Sequence, residues 1–591
     1  EDGIRDVERS RGLGDVYKRQ MQQQITQYKK RRMSEEDYDH LWKPLLDEVK
    51  VIRDPVHGDI WITEIETAII DTEAFQRLRY IRQLGPAFLV YPGAQHTRFD
   101  HALGTLKMAK TLIDAINKNY ERGVSERLTN KEIFITRIVA LLHDLVHLPF
   151  GHTLEDEGRL FKKKQWEDEE RHYLFDEVTK VLKDKLTEKL SGKIPNAEKE
   201  IREVLEDIRK ILIAEEKEVR DTKEMKYPHI ADIVGNTVCA DLLDYIKRDL
   251  YFTGLAGAYD SRIIPYFTIQ KLKENGKEKK RVVILLYKEK RNDIRFDVLS
   301  GLLNLLRLRY SLAERVYYHH TKREASAMII EMVAAALKAG IIDKRKLCTL
   351  GDDSLIAFIR DYNQDVPSGC EEYLKIAKKL AEKISKRELY KPVYEPPVIT
   401  SDIELHIDPL KDDWEERFLF ERELENLLDL EPGDIIVYIP HKDMGAKRHV
   451  KVLVKISPRD NPRPLDQIGS ATRLPADYKG IDEIIKKELE LLLQKHKSLW
   501  KMSVYVRDGI EEEKRSLIKG ICEQWFEGKE PVSLVEACAR KYKKPLNKIK
   551  LTTIADTVLQ KIESYPPTSQ QRYSLGEAIK MICDLLETRN K

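Results

Sequence analysis

From about residue 34 to 390 the apolar residues recur at helical spacing. In "HALGTLKMAKTLIDAI" (101–116), Leu103, Leu106, Leu112, Ile113 and Ile116 fall near one face, and "EIFITRIVALLHDL" (132–145) is apolar enough to be a central core helix. Residues 264–290 read as two β-rich segments around an Asn-Gly turn, a strong hairpin signal, and a long helical region follows from about 294 to 340. Between 390 and 410, "YKPVYEPPVITSDIELHIDP" brings four prolines into eighteen residues, which breaks helix and sets a linker or domain edge. Beyond it "DIIVYIP" and "HVKVLVKIS" look like paired strands. "IDEIIKKELELLLQKHK" is an amphipathic helix, "WKMSVYVRD" another strand, and the tail from 511 is helical. The expected fold is mainly α, with a helical core at 34–390 carrying a β-hairpin insertion near 264–290. A small α+β C-terminal region at 391–510 and a helical region at 511–591 complete it. Residues 1–33 are expected to be a non-native or disordered extension, because the first twenty carry no apolar periodicity.

The chain has 591 residues, a length that favours more than one domain. Its 104 basic and 101 acidic residues leave a net charge of only +3, so no global field selects nucleic acid or membrane as the main partner, and any anion site must be local. The lysine- and glutamate-rich stretch 179–227 reads as solvated helices. No run of eighteen apolar residues predicts a membrane span, and six scattered cysteines without a CxxC pair read as reduced thiols, so the expected location is the cytoplasm.

The chemistry concentrates in "LLHDLVHLPFGH" (141–152), where three histidines and an aspartate interrupt an apolar helix. Burying them is unfavourable unless a metal, a phosphate or internal bonding compensates. Five of the fifteen histidines, His96, His101, His143, His147 and His152, lie within residues 96–152. His143 and Asp144, adjacent on one helix, point about 100° apart and reach one ion only at the helix edge. His101, at a helix start in "RFDHALG", offers a third ligand. In "ADLLDYIKRDLYFTG" (240–254), Asp241, Tyr245 and Asp249 recur on one helical face, which is either a further ligand stripe or a surface paired with Lys247 or Arg248. Imidazole mixed with carboxylate suits Mn, Fe, Zn or Ni better than an all-oxygen calcium site, with Mg also a candidate.

His101, then His143-Asp144, then a distant Asp241 resemble the signature of the HD-domain metal-dependent phosphohydrolases. Within them the chain is similar to the SAM- and HD-domain-containing deoxynucleoside triphosphate triphosphohydrolases and their bacterial relatives. "FQRLRYIRQLG", "RFDHALG" and "HDLVHLPFGH" occur in order, and the likeness runs from about residue 50 to 330, more weakly to about 500. The resemblance implies His101, His143, Asp144 and Asp241 as metal ligands. It places Arg98 on the phosphate nearest the scissile bond, His147 along the phosphate site, and His152 with Glu155 in proton transfer. Gln83 and Leu84 would approach the sugar, Tyr245 and Asp249 would pack on it and hold its 3′-hydroxyl, and Arg309 and Tyr317 would bind phosphate and sugar. Arg309 and Tyr317 stand eight apart in "RLRYSLAERVYYHH", on the same side of one predicted helix. Lys50, Asp71, Gln76 and Arg79 match an activator-nucleotide site between subunits, and "DTEAFQRLRYIRQLG" reads as a helix with a basic face.

The implied activity is hydrolysis of deoxynucleoside triphosphates to deoxynucleoside and inorganic triphosphate. The implied partners are a GTP or dNTP activator, a second Mg bound with the nucleotide, and a homo-oligomer (tetramer or hexamer), with nucleic acid left open. The chain departs from the pattern at four places. Leu242 replaces a lysine that grips triphosphate, Tyr318 replaces a glutamine near the base, Asp168 and Glu169 replace a His-Glu pair, and Arg53 replaces an asparagine of the activator site. Two other readings stand beside it: an HD phosphohydrolase for a nucleoside monophosphate, cyclic nucleotide or nucleic-acid end, and a nucleotide-sensing interaction protein.

Overall fold

The computed structural model describes residues 34–161, 171–194, 196–216, 225–274, 276–288, 293–411, 413–441, 451–470, 481–529, 531–543, 548–563 and 574–588. The expected extension at 1–33, Asn275 of the hairpin turn, and Asp168 and Glu169 lie outside them. The fold is mainly α with small sheets.

Helix α1 (Arg98–Glu121) forms because a capping box closes its first turn: the Thr97 side chain accepts from the Asp100 N–H, and Asp100 accepts from Thr97 N at 2.8 Å. The same device, Thr129 with Glu132, opens α2 (Asn130–Leu142). Leu103, Leu106, Leu112, Ile113 and Ile116 of α1 are all buried, and α2 is buried along most of its length, so both are core helices. The described part of the stretch 179–227 includes the C-terminal part of α3 (His172–Leu190) and all of α4 (Ala197–Glu216). Helix α5 (Ala240–Thr253) lies against α1 at a glycine: a Cβ on Gly104 would sit 1.9 Å from the Asp244 carboxylate. Helices α6 (Phe296–Leu312) and α7 (His320–Lys338) follow.

An antiparallel ribbon pairs β1 (Glu48–Asp54) with β2 (Gly58–Thr63). The expected hairpin is β3 (Phe267–Glu274) with β4 (Lys277–Leu285), and Gly276 adopts φ +76° at its turn. The proline stretch interrupts helix but is ordered on both sides of Pro396-Pro397, as β5 (Lys391–Tyr394) and α8 (Ser401–Lys411). Helix α9 (Trp414–Leu427) comes next.

The C-terminal strands pair differently from expectation. β6 (Ile435–Tyr438) and β7 (Leu453–Lys455) do not pair with each other. β7 runs parallel to β4, extending the hairpin sheet to β8 (Arg463–Pro464), while β6 lies antiparallel to β9 (Ser503–Val506), which also holds β5. The hairpin's open β4 edge, with Val283, Ile284 and Leu285 buried, captures β7, and the fully buried β6 completes a sheet in another layer. Helix α10 (Ile481–Ser498) matches its amphipathic pattern. One hydrophobic core extends from Trp42 to Tyr505; a second gathers residues from Tyr394 to Leu586. No helix among the described residues is long and apolar enough to cross a membrane, and all six cysteines are free thiols.

Candidate metal centre

Helix α2 ends earlier than the apolar run suggests. Leu142 is its last residue, and His143 caps it at helical angles (φ −54°, ψ −33°). Leu145 N then bonds Leu142 O at 3.0 Å and His147 N bonds Asp144 O at 3.4 Å, so tight three-residue turns replace the helix before Pro149. These turns direct both His143 and Asp144 toward α1.

His143 donates Nδ1–H to Ala140 O (2.9 Å), which makes Nε2 the ring's acceptor nitrogen. His101 directs Nδ1 at Asp244 Oδ2 (2.7 Å). The two Nε2 atoms face each other at 3.1 Å. Asp241 Oδ1 lies 3.1 Å from His101 Nε2 and 4.0 Å from His143 Nε2, and Asp144 is 3.5 Å from His143 Nε2. One ligand atom from each of His101, His143 and Asp144 falls within 4.8 Å of the others. Two imidazole lone pairs at that separation repel unless a cation lies between them. Burial opposes a charge on His101, yet Asp241, Asp244 and Asp144 push its pKa up to about 10, so their combined field favours positive charge at this point. The donor set fits a divalent transition metal.

Arg98 stands beside this cluster. Its Nη1 contacts Asp144 Oδ2 at 2.6 Å, and against the opposing effect of burial it holds the Asp144 carboxyl well below the usual carboxylate range. Arg98 is 1% exposed, and its Nε and Nη2 have no hydrogen-bond partner among the described residues. Two buried donors are therefore left for an anion.

The turn after Pro149 is shaped around that guanidinium. Phe150 and Gly151 both adopt left-handed angles (φ +59° and +44°), and a Cβ on Gly151 would meet Arg98 Nη2 at 2.4 Å. Arg77 Nη2 donates to His147 O (2.6 Å) and Asp352 Oδ1 accepts from Phe150 N (2.7 Å), anchoring the turn at both ends. Burial pushes the Asp352 carboxyl up to about 6, although the Phe150 and Arg82 N–H groups favour its charge.

The turn places the histidines in different surroundings. His147 Nε2 is 3.2 Å from Asp144 Oδ1, and its Nδ1 bonds Glu155, whose other oxygen accepts from Arg171 and from Leu148 N (3.1 Å). Burial resists ionisation of Glu155, but His147 and Arg171 hold its carboxyl far below the ordinary range. The His152 ring lies 5.0 Å from that of His147, is 55% exposed, and pairs with Asp156 rather than Glu155. A π turn, Thr153–Glu157, follows.

Asp249 is buried between His96 Nε2 (2.9 Å) and the Tyr317 hydroxyl (2.7 Å). Tyr245 is half-buried, burial raises its pKa and that of Tyr317, and Arg309, also half-buried, lies near enough to both to oppose the rise. Arg309 and Tyr317 do not share one α-helix as the eight-residue spacing implied: α6 ends at Leu312 and Tyr317 closes a π turn, Ala313–Tyr317, whose wider ring shifts the phase. Gln83 donates its N–H to His96 O (3.0 Å) and buries a side-chain oxygen that has no hydrogen-bond partner among the described residues, and Leu84 is buried beside it. Arg248, one candidate partner of a surface face, is fully buried, while Lys247 is exposed.

Three of the activator-site candidates, Asp71, Gln76 and Arg79, do not share the one helix expected of them. "DTEAFQRLRYIRQLG" forms a one-turn helix, Glu73–Gln76, continued by a 3-10 turn, Arg77–Tyr80. Gln76 donates to Ile70 O (2.8 Å) and accepts from Arg79 Nε (2.8 Å), and the Arg79 guanidinium lies 3.5 Å from the centre of the Phe99 ring. Asp71 is exposed at the end of the helix Glu64–Ile70, and Lys50 is exposed on β1. The sequence reading missed Asp244 and His57, and took Arg248 only as a surface partner; their bonding around His101 depends on how α5 crosses α1, and "DPVHG" and the skipped aspartate of "ADLLD" were the available signals.

Two family models match the chain: the HD domain over residues 98–247 and the HD associated region over 303–470. An uncharacterized protein of Methanocaldococcus jannaschii is 32% identical over 350 residues, 58% of this chain and 59% of that protein. The deoxynucleoside triphosphate triphosphohydrolase SAMHD1 of Mus musculus is 29% identical over 391 residues, 62% and 57% of the two chains. The Homo sapiens protein of that name is 29% identical over 376 residues, 59% and 56%. The chain thus spans less than two thirds of the length of these relatives. Residues 98–247, which match the HD domain, contain His101, His143, Asp144 and Asp241, and over part of its length the chain is similar to proteins named deoxynucleoside triphosphate triphosphohydrolases.

Proposed function

We propose that the protein hydrolyses deoxynucleoside triphosphates, by water attack at the α-phosphorus, to deoxynucleoside and inorganic triphosphate. The observation that carries this reading is the buried Arg98, with two donors left over, against a ring of two imidazoles and two carboxylates. His101, His143, Asp144 and Asp241 would hold a divalent metal, which when bound supplies Lewis acidity to a phosphoryl group. Arg98 binds phosphoryl oxygens through Nε and Nη2 while Nη1 stays on Asp144. His147, oriented by Glu155 and Arg171, lines the same anion site. His152, solvent-accessible, donates the proton that the 5′-oxygen takes up as its bond to phosphorus breaks. Asp249, held by His96 and Tyr317, accepts from the 3′-hydroxyl, with Tyr245 against the sugar and Gln83 and Leu84 near its 2′-position.

The same reading extends to a homo-oligomer, a tetramer or hexamer, acting in the cytoplasm. It includes a GTP or dNTP activator bound by Lys50, Asp71, Gln76 and Arg79, and a second Mg carried by the nucleotide. One observation favours another phosphoester, such as a nucleoside monophosphate, a cyclic nucleotide or a nucleic-acid end. Leu242, where similar enzymes carry a triphosphate-gripping lysine, is apolar and 2% exposed.

The test incubates the protein with Mn²⁺ and each of the four deoxynucleoside triphosphates, with and without GTP, and resolves products by ion-exchange chromatography. Inorganic triphosphate plus deoxynucleoside supports the proposal; release of phosphate or pyrophosphate rejects it.

A further inference from the structure

Asp244 takes no part in the ligand ring, yet its side chain is fully buried and each oxygen is bonded. Oδ2 accepts from His101 Nδ1 (2.7 Å) and Arg248 Nε (2.9 Å), and Oδ1 contacts His57 Nε2 (2.6 Å) and Arg248 Nη2 (3.0 Å). Arg248 continues to Asp54 Oδ2 (2.9 Å), and Asp54 Oδ1 accepts from Val56 N (2.9 Å) and His57 N (2.7 Å). The motif "DPVHG" therefore forms a loop locked on itself by Asp54 and tied to α5 through two side chains. That loop joins β1 to β2, a two-stranded ribbon whose Val49, Val51 and Trp61 are exposed at 62%, 44% and 45%. The polar cluster fits only because Gly104 has no side chain: a Cβ there would come within 1.9 Å of Asp244 Oδ1 and 2.4 Å of Arg248 Nη2.

We infer that Asp244 is a positioning residue for the metal centre and that His57 makes the β1–β2 loop a second determinant of metal affinity. This inference rests on the metal reading of His101. A carboxylate on Nδ1 fixes the tautomer and rotation that present Nε2 to the ion and raises the basicity of the ligand. The carboxylate is itself held by three partners, His101 on α1, Arg248 on α5 and His57 in the loop, so moving the loop releases one of them and lets Asp244 rotate away from His101. A displacement of the ribbon is in this way transmitted to the ligand ring through two hydrogen bonds.

The experiment measures Co²⁺ affinity of the full chain by its visible absorption, together with circular dichroism and thermal unfolding. It compares wild type with Asp244→Asn, His57→Phe, His57→Gln and Gly104→Ala. Loss of the carboxylate in Asp244→Asn is expected to weaken Co²⁺ binding 10- to 100-fold and alter the absorption envelope. His57→Phe should weaken binding several-fold, and His57→Gln, which keeps an N–H for Asp244 Oδ1, should restore most of it. Gly104→Ala should behave like Asp244→Asn. Should Asp244→Asn fail to fold, the His57 pair decides. Folded variants that bind Co²⁺ within twofold of wild type overturn the inference while leaving the metal centre intact. A wild type that binds no divalent ion overturns the metal centre and this inference with it.

Discussion

Arg98→Lys separates anion binding from metal holding more cleanly than removal of a ligand. The guanidinium makes one bond to Asp144, at 2.6 Å, and keeps two further donors free in the same plane. An ammonium has one nitrogen. Held against Asp144, it preserves the charge that keeps this carboxylate ionised but cannot also occupy the positions of Nε and Nη2. The variant therefore loses one or two charge-assisted hydrogen bonds to the substrate, each about 1.5–3 kcal/mol. At about 1.4 kcal/mol per tenfold in rate, the summed loss corresponds to a fall in kcat/KM of roughly 10- to 10⁴-fold. The assay follows inorganic triphosphate release under subsaturating substrate, with metal content measured on the same samples. If the bonds tighten in the transition state, kcat falls with kcat/KM; if they serve binding alone, KM rises. A fall below threefold with metal content unchanged would refute the assignment of the two free donors to the substrate.

Gly151→Ala adds a Cβ at φ +44° and 2.4 Å from Arg98 Nη2; it should destabilise the fold by about 1–3 kcal/mol and displace the same guanidinium. Its effect on kcat/KM should therefore be less than additive with Arg98→Lys in a double-mutant cycle. Saturating Mn²⁺ at a hundred times its Kd should stabilise the protein by about 2.7 kcal/mol, read as a rise in Tm that EDTA reverses and that a His143→Ala variant lacks. A stability change with pH should come from Glu425, on α9. Burial, and Glu331 nearby, push its carboxyl from 4.5 up to about 8 against the opposing effect of Arg422 (2.7 Å) and the N–H groups of Ile435 and Gly433. The native state keeps this proton between those two values while the unfolded chain has released it, so stability is fully present below pH 4.5 and declines as pH rises through 8. The slope is at most about 1.4 kcal/mol per pH unit, and Glu425→Gln should flatten it in urea titrations from pH 5 to 9; parallel slopes would sink the assignment.

The cluster of His101, His143 and Asp144 was legible in the sequence because its members sit in motifs whose spacing the backbone preserves. His101 follows a helix cap, and His143 and Asp144 end a core helix. The helical core and the hairpin were legible for a similar reason, since buried faces write their period into the sequence. What was not legible depends on contacts between elements. β6 pairs with β9 and β7 with β4, each more than sixty residues away in the chain, and nothing local distinguishes β6 and β7 from strands paired with each other. The π turn that moves Tyr317 out of phase with Arg309 replaces one hydrogen-bond ring by a wider one without changing composition.

Asp244 shows the limit most sharply. In α5 the stripe Asp241, Tyr245 and Asp249 stands out by its spacing, and Asp244 falls off it, where a helical wheel gives it no special meaning. Its role arises because α5 meets α1 at Gly104, which removes the one side chain that would keep the carboxylate from His101. A buried carboxylate flanked by an arginine and two imidazoles is favourable only as a complete set, since removing any member leaves a desolvated charge or donor in the core. The glycine, the "DPVHG" loop and Asp244 are thus a single structural requirement spread over almost two hundred residues. Read one at a time they are a helix defect, a turn and a surface acid; read together they hold one nitrogen in place.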